Sequence, residues 1–504
     1  MNVATASDKV PSPFWPGLKA RTLHIHPAIQ FLVLLAAALA LRASTFGHPN
    51  LHVDEAFYHT VGIAMHDGVI PYVDVWDRKP WGLFFIYYLI AFISPAPLTY
   101  QLVATAFAAA TAWIIGRFAR EWTNSQGALF AGLVYLLWLD RLQGFGGQSP
   151  VFYNLFIAVA ALLVFRSRVQ LREGSVPRQL PLAMLIAGAA ITVKQTALFE
   201  ASFLGIYAAC QIMRSPMERN RVALVVAGWM ALGAAPFLCI SAWYFLGGYW
   251  DIYWQAMVQS NLDKPGYLYG ATIRAIITFT ILGPVLMVAT LSLPGWRGES
   301  KRFIGFWMLA AIAGLVSVPN FYMHYSLPIM VPLSIATAAF LSKPVVGPIA
   351  TAGLCLWSFQ TSHAFDFDNT RRSIAAMDEL ATTVREHHGD GPLFVVDGPP
   401  QLYVLTNNAF PTPLIFPHHL AHLIEKDVSH LSTLGEARRV LASRPGIVVM
   451  PDKPRQSPPN MEVIAEVDRY VHGNCRKVAS VETPDLLTSA RMNVWSDCRR
   501  ESLR

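Results

Sequence analysis

The sequence predicts a polytopic α-helical membrane protein of about 11 transmembrane helices with a C-terminal soluble α/β domain. Three observations predict it. Of 504 residues, 54% are hydrophobic and only 14% charged, where soluble globular chains carry about 25% charged residues. Mean hydropathy is +0.38. The apolar runs stop near residue 360, and beyond that point 18 acidic residues face 16 basic ones. Five cysteines in such a length exclude a disulfide scaffold. A nucleic-acid binder needs a basic face on a folded domain, and the polar part here is slightly acidic, so no nucleic-acid partner is expected.

Taken in order, residues 1–26 form a polar tail, read as cytoplasmic. Eleven apolar stretches follow, at 27–44, 98–116, 126–140, 150–165, 180–196, 197–213, 222–246, 271–291, 303–319, 326–341 and 345–360. The 14-residue stretch Trp81–Ser94 is flanked by prolines and reads as a juxtamembrane helix. No small-residue cleavage site follows the first apolar stretch, so it is expected to remain as an uncleaved anchor.

Charge sets the expected orientation. The tail (Lys9, Lys19, Arg21) and alternate loops carry 16 basic residues, including Arg117, Arg120, Arg166, Arg168, Arg297 and Lys343. The opposite loops and span ends hold seven: Arg42, Arg78, Lys79, Arg141, Lys194, Lys264 and Arg274. The positive-inside rule then puts the amino terminus in the cytoplasm and, after eleven spans, residues 361–504 outside. In that portion Ile374, Met377, Leu380 and Val384 follow helical spacing within 371–388. Leu393–Asp397, Gly446–Pro451, Met461–Val471 and Met492–Asp497 have strand character. Cys475 and Cys498 lie here, where a disulfide is compatible with an oxidising compartment, as are two free thiols. The pairs His387–His388 and His418–His419 read most simply as exposed loop or helix-end residues.

The polar residues hardest to explain by solubility fall on the outer side. In the first outer loop (45–97), Asp54 and Glu55 open an amphipathic helix that runs to about Asp67 and stops at Gly68. Capping of the helix dipole accounts for acids there, but an adjacent pair directly after a span equally fits a functional site. Asp74, Asp77, Arg78 and Lys79 follow. Lys194 sits at the junction of two spans, where a lysine must snorkel or meet an anion. His324 and Tyr325 cap another outer mouth, with Asp140–Arg141, Gln148 and Asp263–Lys264 on neighbouring loops. One carboxylate pair with several cations at one membrane face suits an anionic lipid headgroup held by Lys, Arg, His and Tyr. A carboxylate would then take a proton from an attacking hydroxyl, and spans such as 326–341 would supply a groove for the lipid tail.

The string DEAFYHTVGIAMHDGVIPYVDVWDRKPWG (residues 54–82) resembles the first periplasmic loop of GT-C glycosyltransferases that use polyprenyl-phosphate sugars. More narrowly it is similar to the protein O-mannosyltransferase-like superfamily, which includes aminoarabinose transferases and Rgt-type lipopolysaccharide galacturonosyltransferases. The acidic pair followed by D-x-K-P carries the resemblance; KQTALF and Phe321–Pro328 follow in family order, over residues 25–360. The resemblance implies a bacterial inner-membrane enzyme with a GT-C-like domain at 27–360 and a periplasmic domain at 361–504. It implies transfer with inversion from a polyprenyl-phosphate-linked donor to an envelope acceptor: lipopolysaccharide, another glycan or glycolipid, or a protein hydroxyl. By the same resemblance Asp54 is the general base, Glu55 assists it or holds a metal, and Lys79 contacts the donor phosphate. Arg78, Lys194, His324 and Tyr325 contact donor phosphate or sugar. A divalent cation between Asp54, Glu55 and a phosphate is left open. Phe57, Tyr58 and Trp81 depart from the pattern of relatives that carry an arginine after the acidic pair and a second proline, which makes aminoarabinose the less favoured sugar.

Three other readings are weighed. A polyprenyl-linked lipid flippase would act without covalent turnover, but it calls for paired charges at midplane or an internal repeat, neither of which is evident. A metal hydrolase would use His52, Asp54, Glu55 and His59, whose spacing is not HExxH. A mere anchor for the soluble domain does not need eleven spans.

Overall fold

The computed structural model describes residues 25–262, 268–296, 298–318, 320–360 and 365–498. Lys9, Lys19 and Arg21, the pair Asp263–Lys264, and Arg297 lie outside the described residues.

All eleven apolar stretches are helical. In chain order the helices are α1 (Pro27–Arg42), α2 (Val53–Ala64), α3 (Trp81–Ile93), α4 (Pro97–Ala119), α5 (Ser125–Arg141), α6 (Ser149–Arg172), α7 (Gln179–Val193), α8 (Ala197–Ile212) and α9 (Arg219–Leu246). The short α10 (Trp250–Trp254) and α11 (Ser260–Leu262) flank a π turn, and α12 (Leu268–Ser292), α13 (Gly298–Val316), α14 (Met330–Leu341) and α15 (Val346–Gln360) complete the apolar part. Six segments among the described residues are long and apolar enough to cross a membrane: Pro27–Thr45, Pro97–Ala119, Ser149–Arg172, Arg219–Leu246, Gly270–Gly295 and Met323–Leu341. The chain is a membrane protein.

With no hydrophobic drive between helices in lipid, close packing of small residues does the work. A Cβ at Gly188 of α7 would lie 2.1 Å from the Gly233 carbonyl oxygen of α9, so the two backbones touch there. Nearly all of α9 otherwise faces outward, with Leu224, Met230 and Leu246 exposed, as expected of a lipid-facing helix. By contrast α14 is buried on almost every face, from Met330 to Ala338. The tail groove expected at 326–341 is therefore absent there, because neighbouring helices fill the space around it.

The first loop is ordered by local rules. His52 caps α2, its Nδ1 accepting from the Asp54 backbone N–H at 3.2 Å. Asp54 and Glu55 sit in the first turn, and Gly68 ends the helix at φ 88°. A Cβ at Gly62 would lie 2.7 Å from the Tyr87 backbone, so α2 lies hard against α3.

The α/β part begins with α16 (Phe367–His387), whose Met377, Leu380, Ala381 and Val384 are buried as the spacing predicts. Then come β1 (Leu393–Val395), α17 (Leu402–Leu405), α18 (Pro417–Ala421), α19 (Thr433–Ala442), β2 (Ile447–Pro451), α20 (Met461–Asn474), β3 (Arg476–Pro484) and β4 (Ser489–Ser496). The sheet order is β1-β2-β4-β3, with β1 parallel to β2 and the rest antiparallel. Residues 461–471 are helix, not strand. Val463, Val467 and Val471 are buried at four-residue intervals, so the helical period was present beneath a β-branched composition. The edge strand β3, largely exposed and charged, was not foreseen.

Cys475 and Cys498 are disulfide-bonded across 23 residues, which ties the end of α20 to the end of β4. A closed loop of that length stabilises by about 3 kcal/mol. Replacing both cysteines by serine is expected to lower the midpoint of the α/β part by several degrees under oxidising conditions, and to leave it unchanged once reductant is present. Thermal unfolding in detergent, with and without reductant, checks this.

This domain is pinned to the first loop and to the π turn after α10. The Trp76 N–H donates to the Pro413 carbonyl at 2.9 Å, His48 Nε2 pairs with Asn369 Oδ1 at 2.8 Å, and Gln255 Nε2 donates to the Val428 carbonyl at 2.7 Å.

Candidate active site

A cavity of about 560 Å³ opens at this junction. Asp54, Arg78, Lys79, Lys194, His324 and Tyr325 all line it. Four separate elements bring them together. Asp54 comes from the first turn of α2, Arg78 and Lys79 from the loop before α3, and Lys194 from the break between α7 and α8. His324 and Tyr325 lie in a 3-10 segment leading into α14.

Asp54 is the hub. Its Oδ1 lies 3.9 Å from Lys79 Nζ and its Oδ2 lies 3.9 Å from His324 Nε2. Burial opposes the charge on Asp54, but Lys79, His52 and His324 outweigh it and hold the carboxyl well below the usual carboxylate range. Lys79 responds in the same way: burial disfavours its charge, and Asp54, Tyr58 and Asp77 raise its pKa above the ordinary lysine value. Its ammonium lies 5.1 Å from the Tyr58 ring centroid and 5.9 Å from that of Phe416. The backbone holds it too, since the Lys79 N–H donates to Asp77 Oδ1 at 2.7 Å and the Tyr72 hydroxyl donates to the Lys79 carbonyl at 2.8 Å.

The other cations are differently engaged. Arg78 pairs with Glu425 from the α/β domain, and Gln195 Nε2 donates to its carbonyl at 2.8 Å. Lys194 Nζ lies 4.3 Å from the Tyr325 ring centroid. The Tyr322 ring stacks on His324 at 10°, while Tyr325 meets His324 edge-on at 4.5 Å.

Glu55 is not brought to the cavity. It is fully buried on a different face of α2, against the loop between α5 and α6, where a Cβ at Gly146 would lie 1.9 Å from its Oε2. Its oxygens face the amides of Gly147 and Gln148 without closing a hydrogen bond of good geometry. Burial pushes its pKa up to about 8, so it is neutral at pH 7. The folded state therefore binds the extra proton, and stability falls as pH rises from about 4.5 toward 8. Glu55→Gln should keep activity within about threefold, as expected of an isosteric change away from the reacting groups. It should also flatten that pH slope, which thermal unfolding between pH 5 and 8 would read.

The same divergence bears on a metal. Among the described residues no group of three or more His, Cys, Asp or Glu converges as metal ligands, and Asp54 and Glu55 point to different sides of α2. Asp54 itself faces an ammonium and an imidazole. These donors do not fit a divalent cation. His59 likewise lies away from the cavity, packed 5.0 Å from Tyr100.

Several lining residues were not assigned to this site from the sequence, and His52 among them was weighed only as a ligand of a metal hydrolase. His52, Phe416, His418, His419 and Glu425 all face the cavity. His419 Nε2 lies 3.7 Å from Asp77 Oδ2, and its side chain is buried against Trp76 at 4.7 Å. The reading of His418–His419 as exposed is thus corrected. Their signal, a paired histidine after Phe416-Pro417, had no partner in sequence because the partner is Asp77, more than 300 residues earlier. A second, apolar cavity of about 610 Å³ runs along α12, lined by Ala271, Ile276, Phe279 and Phe321. Phe321 is held at φ 47°, a costly conformation for a non-glycine residue, and its neighbour Tyr322 lines the polar cavity. Arg274 of α12 lies 4.7 Å from the Tyr322 ring and donates to the Asn320 carbonyl at 2.7 Å.

Comparison with solved structures decides the fold. The crystal structure of ArnT from Cupriavidus metallidurans bound to undecaprenyl phosphate superposes with a TM-score of 0.59 over 93% of this chain and 98% of that one, at 12% identity. Its apo form gives 0.57 over 94% and 98%, at 13% identity. The chain has the GT-C fold. No protein-family model matches it, and no curated protein matches it in sequence. At such identities the GT-C likeness carries the fold, and the activity has to be argued from the site.

Proposed function

We propose that the chain is an integral membrane glycosyltransferase that moves a sugar from a polyprenyl-phosphate donor to an envelope acceptor hydroxyl, with inversion. The observation that carries this is Asp54 held between Lys79 and His324 on the wall of a cavity that also presents Arg78 and Lys194, beside an apolar groove. Asp54 takes the proton of the acceptor hydroxyl, whose oxygen bonds to the anomeric carbon from the face opposite the phosphate. The bond from that carbon to the phosphate oxygen breaks, and its electron pair stays with the departing polyprenyl phosphate. The phosphodiester thereby becomes a monoester and gains negative charge, which Lys79 and Lys194 are placed to meet, with Arg78 beside them. His324 and Tyr325 complete the wall for phosphate or sugar. The groove along α12 suits the polyprenyl tail, and undecaprenyl phosphate in the ArnT crystal supports that class of donor.

We place the protein in the bacterial inner membrane, with residues 1–26 cytoplasmic, 27–360 as the GT-C-like membrane domain, and the first loop 45–97 and domain 361–504 periplasmic. The distribution of basic residues and the Cys475–Cys498 disulfide support that orientation. The acceptor is a lipopolysaccharide, another glycan or glycolipid, or a protein hydroxyl. The test supplies radiolabelled polyprenyl-phosphate sugars to membranes lacking the gene, with and without the wild-type chain. Product and donor consumption that depend on the chain support the proposal. Altered lipid sidedness without covalent product for any donor sinks it in favour of a flippase.

A further inference from the structure

A second polar cleft, of about 660 Å³, lies on the other side of the Asp54 wall. It is bounded by the loop after β2 (Asp452, Lys453, Arg455) and by the β3–β4 hairpin (Glu482, Asp485, Arg491). His52, Val53 and His418 line both this cleft and the cationic cavity. They form the partition between the two, and Asp54 is the next residue after Val53.

We propose that this cleft binds the acceptor, that the acceptor is a polyhydroxylated glycan, and that His418 positions its hydroxyl toward Asp54. This rests on the transferase reading above. The chemistry of the lining chooses the class. Three basic and three acidic side chains line it, with Arg455 and Asp485 paired at 2.9 Å, so the cleft presents hydrogen-bond donors and acceptors together. Gln456, Thr488 and Ser489 add donors and acceptors suited to sugar hydroxyls. A peptide would call for an open strand edge. Of the lining residues only Glu482 comes from the edge strand β3, while Ser489, Ala490 and Arg491 come from β4, which is paired on both sides.

His418 has the geometry of a positioning residue. Its ring stacks on Phe416 at 4.7 Å, which fixes its plane, and its Nδ1 is buried with no hydrogen-bond partner. Burial holds the ring well below the usual histidine pKa, so it stays neutral. An unsatisfied nitrogen beside the base is costly by itself, and a bound hydroxyl satisfies it. His52 is already committed, its Nδ1 taking contacts from the Asp54 N–H and from Gln148 Nε2 at 3.0 Å.

The test uses the full chain in membranes and two acceptor probes: core oligosaccharide released from lipopolysaccharide by mild acid, and a Ser/Thr-rich peptide. Leu487 lines the cleft and is exposed, so Leu487→Cys is labelled with a maleimide above the wild-type background. The oligosaccharide should slow labelling and the peptide should not. Arg491→Glu should raise the KM for acceptor about tenfold, the loss of one charge-assisted contact, with kcat and the KM for donor unchanged. His418→Ala should lower kcat about tenfold or more with donor binding intact, and His418→Gln should recover part of it. Protection by the peptide alone, an unchanged acceptor KM in Arg491→Glu, or a His418→Ala defect confined to donor KM overturns the assignment. Donor turnover by the wild-type chain is followed in parallel. If it proceeds while the cleft variants behave as wild type, only the cleft is misassigned; if it is absent, the transferase reading falls as well.

Discussion

Asp54→Asn is expected to reduce glycosyl transfer by about 10²–10⁴-fold, the range for removal of a positioned general base, while leaving donor binding intact. The change is nearly isosteric and keeps the hydrogen-bonding outline of the side chain, so the cavity wall should persist. It removes the atom that takes the acceptor proton and frees Lys79 from its nearest carboxylate, 3.9 Å away. The KM for donor should therefore hold or fall, because a lysine without a competing anion meets phosphate more readily. The pH dependence follows from the same contacts. With Asp54 held below the usual carboxylate range, the acid limb of kcat/KM for the wild type should lie below about 3.9, the ordinary aspartate value. A base this weak in the free enzyme gains basicity when the donor phosphate draws Lys79 toward itself. The acid limb of kcat, which reports the donor complex, should accordingly lie at higher pH than that of kcat/KM. Equal transfer by wild type and a well-expressed Asp54→Asn chain would remove Asp54 from this role.

What was legible in the sequence divides by range. Apolar runs and the stop at Gly68 are local, and each long apolar helix of the membrane part could be read from its own residues, whereas the short α10 and α11 could not. Asp54, Arg78, Lys79, Lys194, His324 and Tyr325 could be nominated together because charge at a membrane face is conspicuous against so apolar a chain. Glu55 shows the limit of that reasoning. Adjacent residues on a helix point about 100° apart, so the two acids of the pair take different surroundings, and Gly146, which makes room for Glu55, lies some 90 residues away. The contribution of the α/β domain was hidden for a similar reason. Phe416, His418, His419 and Glu425 are ordinary in their own segment and acquire meaning only against Asp77, Arg78 and Lys79. Which apolar helix borders open space was not legible, because one in a packed interior, as Met330–Leu341 is, and one beside a cavity, as α12 is, have the same composition.

Lys79→Met separates electrostatic support of the base from donor binding. Methionine keeps most of the length and the apolar stem of lysine and removes the ammonium, with its contacts over the Tyr58 and Phe416 rings, so the loss is chiefly of charge. One charge-assisted contact to phosphate is worth about 1.5–3 kcal/mol, so the KM for donor should rise about 10–100-fold. The second effect falls on Asp54. Burial is the largest influence on that carboxyl and acts to raise its pKa; Lys79 is the largest of the groups that oppose it. Without Lys79 the pKa rises, and the acid limb of kcat/KM moves to higher pH. Stability follows with a definite sign. A carboxyl depressed in the folded state contributes stability above its unfolded pKa and loses it as pH falls through the folded value. The variant gives up that contribution, so its unfolding midpoint should drop relative to wild type at pH 7 and converge with it in acid. Lys79→Arg should restore the charge and the acid limb but only part of the donor affinity, since a planar guanidinium does not reproduce the position of an ammonium. Donor KM, the pH profile and thermal unfolding are read on the same three proteins. If Lys79→Met shifts the acid limb and leaves the KM for donor within twofold, Lys79 serves the base alone, and the phosphate must be met by Lys194 with Arg78 released from Glu425.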